Sequence, residues 1–198
     1  MAWKRKNKDF SDFKPDVNTA TWLKTTRLTQ QQRLRITKWS LYFLTLVLAL
    51  VIQDVIMSQF RLLGATTDLA ACVILLITVI EGTEAGSLFV LPAALFYYFS
   101  GSAPGAYSVG LLSFLGIFAT MLRQMYWHRS KGSILLCSAL ALMGYELGLF
   151  AVGMFYELTR AGRIGSFVLT GIYTGLVMIL IYPLIHKIGL IGGNTWKE

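Results

Sequence analysis

Residues 66–99 read TTDLAACVILLITVIEGTEAGSLFVLPAALFYYF. Two apolar runs, 66–80 and 86–99, flank the polar, glycine-punctuated EGTEAG. A helix that crosses a bilayer needs about 20 mostly apolar residues. Asp68 stands where an N-cap is wanted, at the entry to the first run. The stretch predicts a tight helical hairpin; one arm being a half-helix that dips in and returns is the alternative.

Apolar runs of the same kind continue on both sides. Residues 42–57, 107–122, 134–156 and 167–186 supply further candidate spans, six in all. The 198-residue chain is 55% hydrophobic and only 14% charged, with a mean hydropathy of +0.59. Soluble domains carry nearer a quarter charged residues. The expectation is an all-α, polytopic membrane protein, a six-helix bundle with short loops. Three regions follow: a basic tail over 1–38, the transmembrane domain over 39–190, and a short tail over 191–198.

The cations are unevenly placed. Ten of the 18 Lys and Arg residues precede Trp39. Arg123, Arg129 and Lys131 follow the fourth span, and Lys187 and Lys197 follow the sixth, whereas Arg61, Arg160 and Arg163 fall on the other side. Cationic loops stay cytoplasmic, so both termini are predicted inside. The leader does not read as a cleavable signal, because its first apolar run begins only near residue 39 and no small-residue cleavage site follows. Its charge should attract anionic headgroups, at about 1 kcal/mol per cation near the surface.

Residues 100–105, SGSAPG, separate the third and fourth spans. Small residues and one proline make a compact turn between antiparallel helices, here at the outer face. Gln53 and Asp54 end the first span, with Asp54 in reach of headgroups or Arg61. Tyr97, Tyr98, Tyr107, Tyr126, Trp127, Tyr156 and Tyr182 read as an interfacial aromatic belt.

Little in the chain resembles catalytic machinery. His128 and His186 belong to no metalloprotease motif, and no nucleophile elbow or P-loop is present. Cys72 and Cys137 are isolated and read as small buried hydrophobes. Glu81 and Glu84 read as a solvated acidic turn, with a ligand or partner role as the alternative. No enzyme, cofactor, metal or nucleic-acid partner is expected.

Glu146, in LMGYELGLF, is the ionisable group deepest in an apolar run. A charge there costs about 2.5–3.5 kcal/mol on insertion scales, so Glu146 is either neutral or faces protein or a wet interior. Gly144 and Gly148 make a G-x-x-x-G on the opposite face. The fifth span is therefore predicted to be surrounded by protein. Gly171 with Gly175 and Gly82 with Gly86 repeat the spacing and mark further helix-packing or partner-binding faces.

The ordered set of features resembles the bacterial rod-shape-determining family MreD over roughly residues 40–190. Gln53 ends the first span. Gly64-Ala65-Thr66-Thr67-Asp68-Leu69 is similar to the family's G-x-x-P-D-L entry, with Thr67 in place of proline. Gly82 and Gly86 match the glycine-punctuated hairpin. Ser100, Gly101, Ser102 and Gly105 match its S-G-S-x-x-G, and Glu146 its later acidic position. Tyr97 stands where an acidic residue often precedes S-G-S, and Pro92, Ala93 and Ala94 replace part of the glycine pattern. The resemblance implies a non-enzymatic scaffold of the cell-elongation machinery in the bacterial cytoplasmic membrane. It would bind MreC and connect MreB filaments to RodA and its class B penicillin-binding protein during lateral peptidoglycan synthesis.

Substrate-binding components of energy-coupling-factor vitamin transporters are the alternative, being six-span and basic, with a fold thought to be related to MreD's. A transport component predicts a sealed polar pocket at the outer face near Tyr97, Tyr98 and Glu146. A scaffold predicts an exposed small-residue groove facing lipid.

Overall fold

The computed structural model describes residues 30–57, 66–126 and 131–191, and every regular element among them is helical. In chain order these are α1 (Gln30–Ile52), continued by a π-helical turn (Gln53–Met57), α2 (Leu69–Phe99), α3 (Tyr107–Tyr126), α4 (Lys131–Phe155) and, after a 3-10 turn (Ala161–Arg163), α5 (Ile164–Gly189). Five helices are long and apolar enough to cross a membrane. In class the described residues form an all-helical bundle whose long apolar helices are compatible with a membrane protein.

The second helix is not straight. Gly82 takes φ 83° and ψ −169°, a left-handed conformation that glycine adopts without a Cβ clash. The chain reverses there. In a continuous helix Asp68 and Tyr97 would lie about 43 Å apart at 1.5 Å per residue, yet the Tyr97 hydroxyl donates to Asp68 Oδ2 at 2.8 Å. Residues 69–81 and 83–99 are thus antiparallel arms, the tight hairpin expected from EGTEAG. Immediately beyond the turn, Gly86 lies against the backbone of Thr78 so closely that a Cβ would overlap the Thr78 carbonyl oxygen.

The first arm is apolar all round and its residues from Leu69 to Val79 are all buried. A helix without a polar face belongs in the middle of a bundle, and α2 packs against all four other long helices. Its N-terminal backbone N–H groups have no partners within the helix. Side chains from three segments supply them. Ala71 N–H donates to Asp68 Oδ1 at 3.0 Å, Ala70 N–H to Gln53 Oε1 at 2.8 Å, and Asp68 N–H to Thr174 Oγ1 at 3.1 Å. The cap expected at Asp68 is present, and it ties α1 and α5 to the same helix start.

At the Gly82 end, Lys38 Nζ pairs with Glu81 Oε1 at 2.6 Å, the two side chains being 6% and 2% exposed. The Tyr42 hydroxyl donates to the same carboxylate at 2.6 Å. The Arg123 guanidinium donates to the Val79 carbonyl near the end of the first arm. Two sequence expectations are corrected here. Glu81 is not part of a solvated turn, because a cation and a hydroxyl hold it inside the bundle. The tail boundary at residue 38 also falls within a helix: α1 begins at Gln30, since QQQRLR consists of good helix formers, and Lys38 is a buried member of the bundle. Residues 1–29 and 192–198, with Arg61, Trp127, His128 and Arg129, lie outside the described residues.

Opposite faces of α4 are covered, as its glycine spacing predicted. A Cβ at Gly144 or Gly148 would meet the Leu115 or Leu111 side chain of α3, and Gly171 of α5 lies against Met143 and Glu146. The enclosure is nevertheless incomplete, because Leu136, Leu140 and Leu147 are exposed along a third face. Gly148→Leu should lower stability by about 1–3 kcal/mol through overpacking against Leu111. Gly175→Leu, where a Cβ meets open space, should leave the melting temperature in detergent nearly unchanged. Equal effects at the two positions would contradict this packing.

Candidate functional site

The end of the bundle opposite Gly82 gathers side chains from every long helix but α3. The π-helical turn at the end of α1 carries Gln53, whose carbonyl oxygen caps the first arm of α2. Tyr97 comes from the end of the second arm and is 1% exposed. The loop 100–106 closes over this region. Ser100 Oγ donates to the Tyr97 carbonyl at 2.7 Å, Gly101 takes φ 79°, and Ser102 Oγ donates to Asp54 Oδ1 at 2.8 Å. Ser108 donates to the Gly105 carbonyl from both its N–H and its hydroxyl, starting α3.

Between these groups lies a cavity of about 340 Å³. Gln53, Asp68 and Tyr97 form one wall, and Ser102 and Pro104 of the loop another. Phe167 and Thr170 of α5, with Thr159 and Arg163 before that helix, complete the ring. Glu146 and Leu149 enter from α4. Glu146 is nine residues from the end of α4 at Phe155, about 13.5 Å along the axis, well inside the end of the bundle. The volume falls within the roughly 300–1,000 Å³ usual for small-molecule sites.

The two carboxyl groups differ in their surroundings. Asp68 accepts from Ala71 N–H and the Tyr97 hydroxyl. Glu146 is 3% exposed, lines the cavity and accepts no hydrogen bond from any described residue. Three aliphatic or aromatic side chains, Leu149, Phe167 and Pro104, give the lining an apolar share. Hydroxyl groups of Thr66, Thr67, Thr159, Thr170, Ser102 and Ser166 dominate the remainder. No cluster of metal-ligating residues occurs among the described residues.

The sequence-predicted residues divide between two places. Asp68, Ser102 and Glu146 line the cavity, and Ser100, Gly101 and Gly105 shape the loop above it. Gly82 and Gly86 make the turn at the far end. Gly144 and Gly148 face α3, Gly171 faces α4, and Gly175 faces open space. Tyr97, read as an interfacial aromatic, is instead a buried partner of Asp68. Its position three residues before SGS, where relatives of the resembled family often carry an acid, was the available signal. Arg163, Thr170 and Thr174 carried no signal in the sequence, because threonines and one cation near a helix start are common.

Tyr97→Phe removes a hydrogen bond to a carboxyl group without creating a void. The expected loss is about 1.5–3 kcal/mol, seen as a lower melting temperature in detergent. A melting temperature equal to the parent protein's would show that the Tyr97–Asp68 bond does not hold the hairpin closed.

No protein family, characterised protein or solved structure matches the chain in sequence or fold comparisons.

Proposed function

We propose that this protein is a non-enzymatic component of the machinery that elongates rod-shaped bacterial cells, the role its resemblance to MreD implies. The observation that carries this reading is where the motif residues fall. Gln53, Asp68, Ser102 and Glu146 span 93 positions of sequence and line one cavity, while Gly82 forms the hinge that brings Asp68 and Tyr97 together. Motif elements scattered through a chain by chance have no reason to converge.

In this reading α2 makes two passes, the first through a short arm (residues 69–81, about 20 Å of helix), which with the other four long helices makes six and leaves both termini on one side. Arg33, Arg35, Lys38, Arg123 and Lys187 belong to the Gly82 end and Arg160 and Arg163 to the Asp68 end, so the positive-inside tendency puts the Gly82 end in the cytoplasm. MreC, a single-span protein, would pack on the exposed apolar faces of α1 and α5, which carry Phe43, Leu44 and Leu48, and Ile179, Leu180 and Leu184. The glycine pair of α4, Gly144 and Gly148, is occupied within the chain and is a poor candidate for that contact. MreB, RodA and the class B penicillin-binding protein would join through the same assembly, and the basic tail would rest on anionic lipid.

The cavity itself favours a second reading, a substrate-binding component of an energy-coupling-factor transporter. A polar pocket near Tyr97 and Glu146 is what that class requires.

Affinity purification from bacterial membranes in mild detergent, with mass spectrometry of the co-purifying proteins, separates the two. Recovery of MreC together with RodA is the expected result. Recovery of a paired ATPase and its transmembrane coupling subunit would assign the chain to uptake instead. Recovery of neither set would remove both readings.

A further inference from the structure

We propose that the cavity at the Asp68 end binds a small zwitterion, its ammonium group seated against Glu146 and Asp68 and its anionic group directed to Arg163. The inference holds for either functional reading, because it concerns what this chain binds by itself.

Four observations lead to it. Glu146 is 97% buried, counting from its 3% exposure, lines the cavity, and has no hydrogen-bond donor among the described residues. A carboxyl group at that depth that is not paired within the protein is costly, so a complementary ligand would gain an interaction that water in a narrow cavity supplies poorly. Asp68 is the second carboxyl in the wall, and its Oδ1 and Oδ2 are held in position by Ala71 N–H and Tyr97. The ligand therefore meets a preorganised group.

Arg163, in the turn that begins α5, is the one cation among the described lining residues. The lining is thus acidic at depth and basic toward the loop, a polarity that matches a molecule with an ammonium at one end and a carboxylate or phosphate at the other. Finally, about 340 Å³ suits a small organic molecule and is much larger than a single bare cation needs, while the threonine and serine hydroxyls and the Phe167 and Pro104 surfaces fit a short polar body with some apolar area. Two sources share this chemistry, a free amino acid and the ammonium–phosphate headgroup of an ethanolamine lipid.

Isothermal titration calorimetry on the purified full chain tests the proposal. In lipid-free detergent the probes are free amino acids, glycerophosphoethanolamine, ethanolamine and acetate. Saturable binding of the zwitterions, with weaker binding of ethanolamine and none of acetate, is the expected pattern. Glu146→Gln should weaken the zwitterions and ethanolamine by at least about tenfold, the loss of one charge-assisted contact. Arg163→Ala should weaken the zwitterions alone. Thr170→Leu, which adds bulk to the lining and leaves both carboxyl groups in the sequence, should abolish binding and guards against an unstable Glu146 variant.

Amino acids binding more tightly than glycerophosphoethanolamine would assign a free solute. The reverse order, with protein in nanodiscs containing ethanolamine lipid refusing amino acids and protein in phosphatidylglycerol nanodiscs accepting them, would assign the headgroup. Absence of saturable binding for every amine, binding unchanged in Glu146→Gln, or preference for acetate would each overturn the proposal. None of those outcomes bears on which proteins co-purify with the chain.

Discussion

Lys38→Met is expected to destabilise the protein by about 3–5 kcal/mol. The substitution leaves the Glu81 carboxylate inside the bundle, its side chain 2% exposed, with the Tyr42 hydroxyl its one remaining partner among the described residues. Removing one member of a buried ion pair strands the other, and the cost is the desolvation of an uncompensated charge. The double variant Lys38→Met with Glu81→Leu separates this from lost packing. It removes both charges at once, and buried pairs replaced by well-packed apolar residues are often neutral or stabilising. The double variant should therefore melt above the Lys38→Met single variant in detergent. If the single variant melts like the parent, the ion pair does not hold α1 to the hairpin.

Gly86→Leu has an expected effect of similar size for a different reason. Its Cβ would overlap the backbone carbonyl of Thr78 in the opposite arm, and backbone cannot rotate aside as a flexible side chain does. The arms would have to separate, disturbing the interhelical Tyr97–Asp68 bond at the other end and the packing of the first arm against its neighbours. We expect a loss of about 3 kcal/mol or more, at the upper end of overpacking. Even Gly86→Ala should be costly, since the first added carbon causes the overlap. By contrast Gly148→Ala would meet only Leu111 side-chain atoms and should be mild. The diagnostic measurement is the melting-temperature difference between Gly86→Ala and Gly148→Ala; a difference near zero would mean that the arms of α2 do not approach at Gly86.

These two effects show how unevenly the sequence reveals its structure. Glycine at 82 and 86 between apolar runs announced the hairpin, because a reversal within two helical runs needs a residue free of Cβ strain and a close approach needs a missing side chain. Asp68 announced a cap, since a short acidic side chain before an apolar run is the usual acceptor for a helix start. Glu146 announced an interior, since hydrocarbon does not tolerate it. Each of these inferences concerns a residue and its immediate neighbours or solvent. Lys38 and Glu81 were read as a tail cation and a solvated acid because their pairing spans 43 positions, and local composition around each is polar. Tyr97 was read as an interfacial aromatic for the same reason: its partner lies 29 positions earlier.

The sequence by itself determined the solvent, the helical class, the place of the hairpin and the need to shelter Glu146, all consequences of hydropathy and backbone sterics. Only the tertiary structure decided that Gln53, Asp68, Tyr97, Glu146 and Arg163 share one cavity and that Glu81 is neutralised by Lys38. The physical reason is that polar partners inside an apolar bundle are chosen by the lateral order and rotation of the helices. Those follow from how all the helices fill space together, and no single span encodes them.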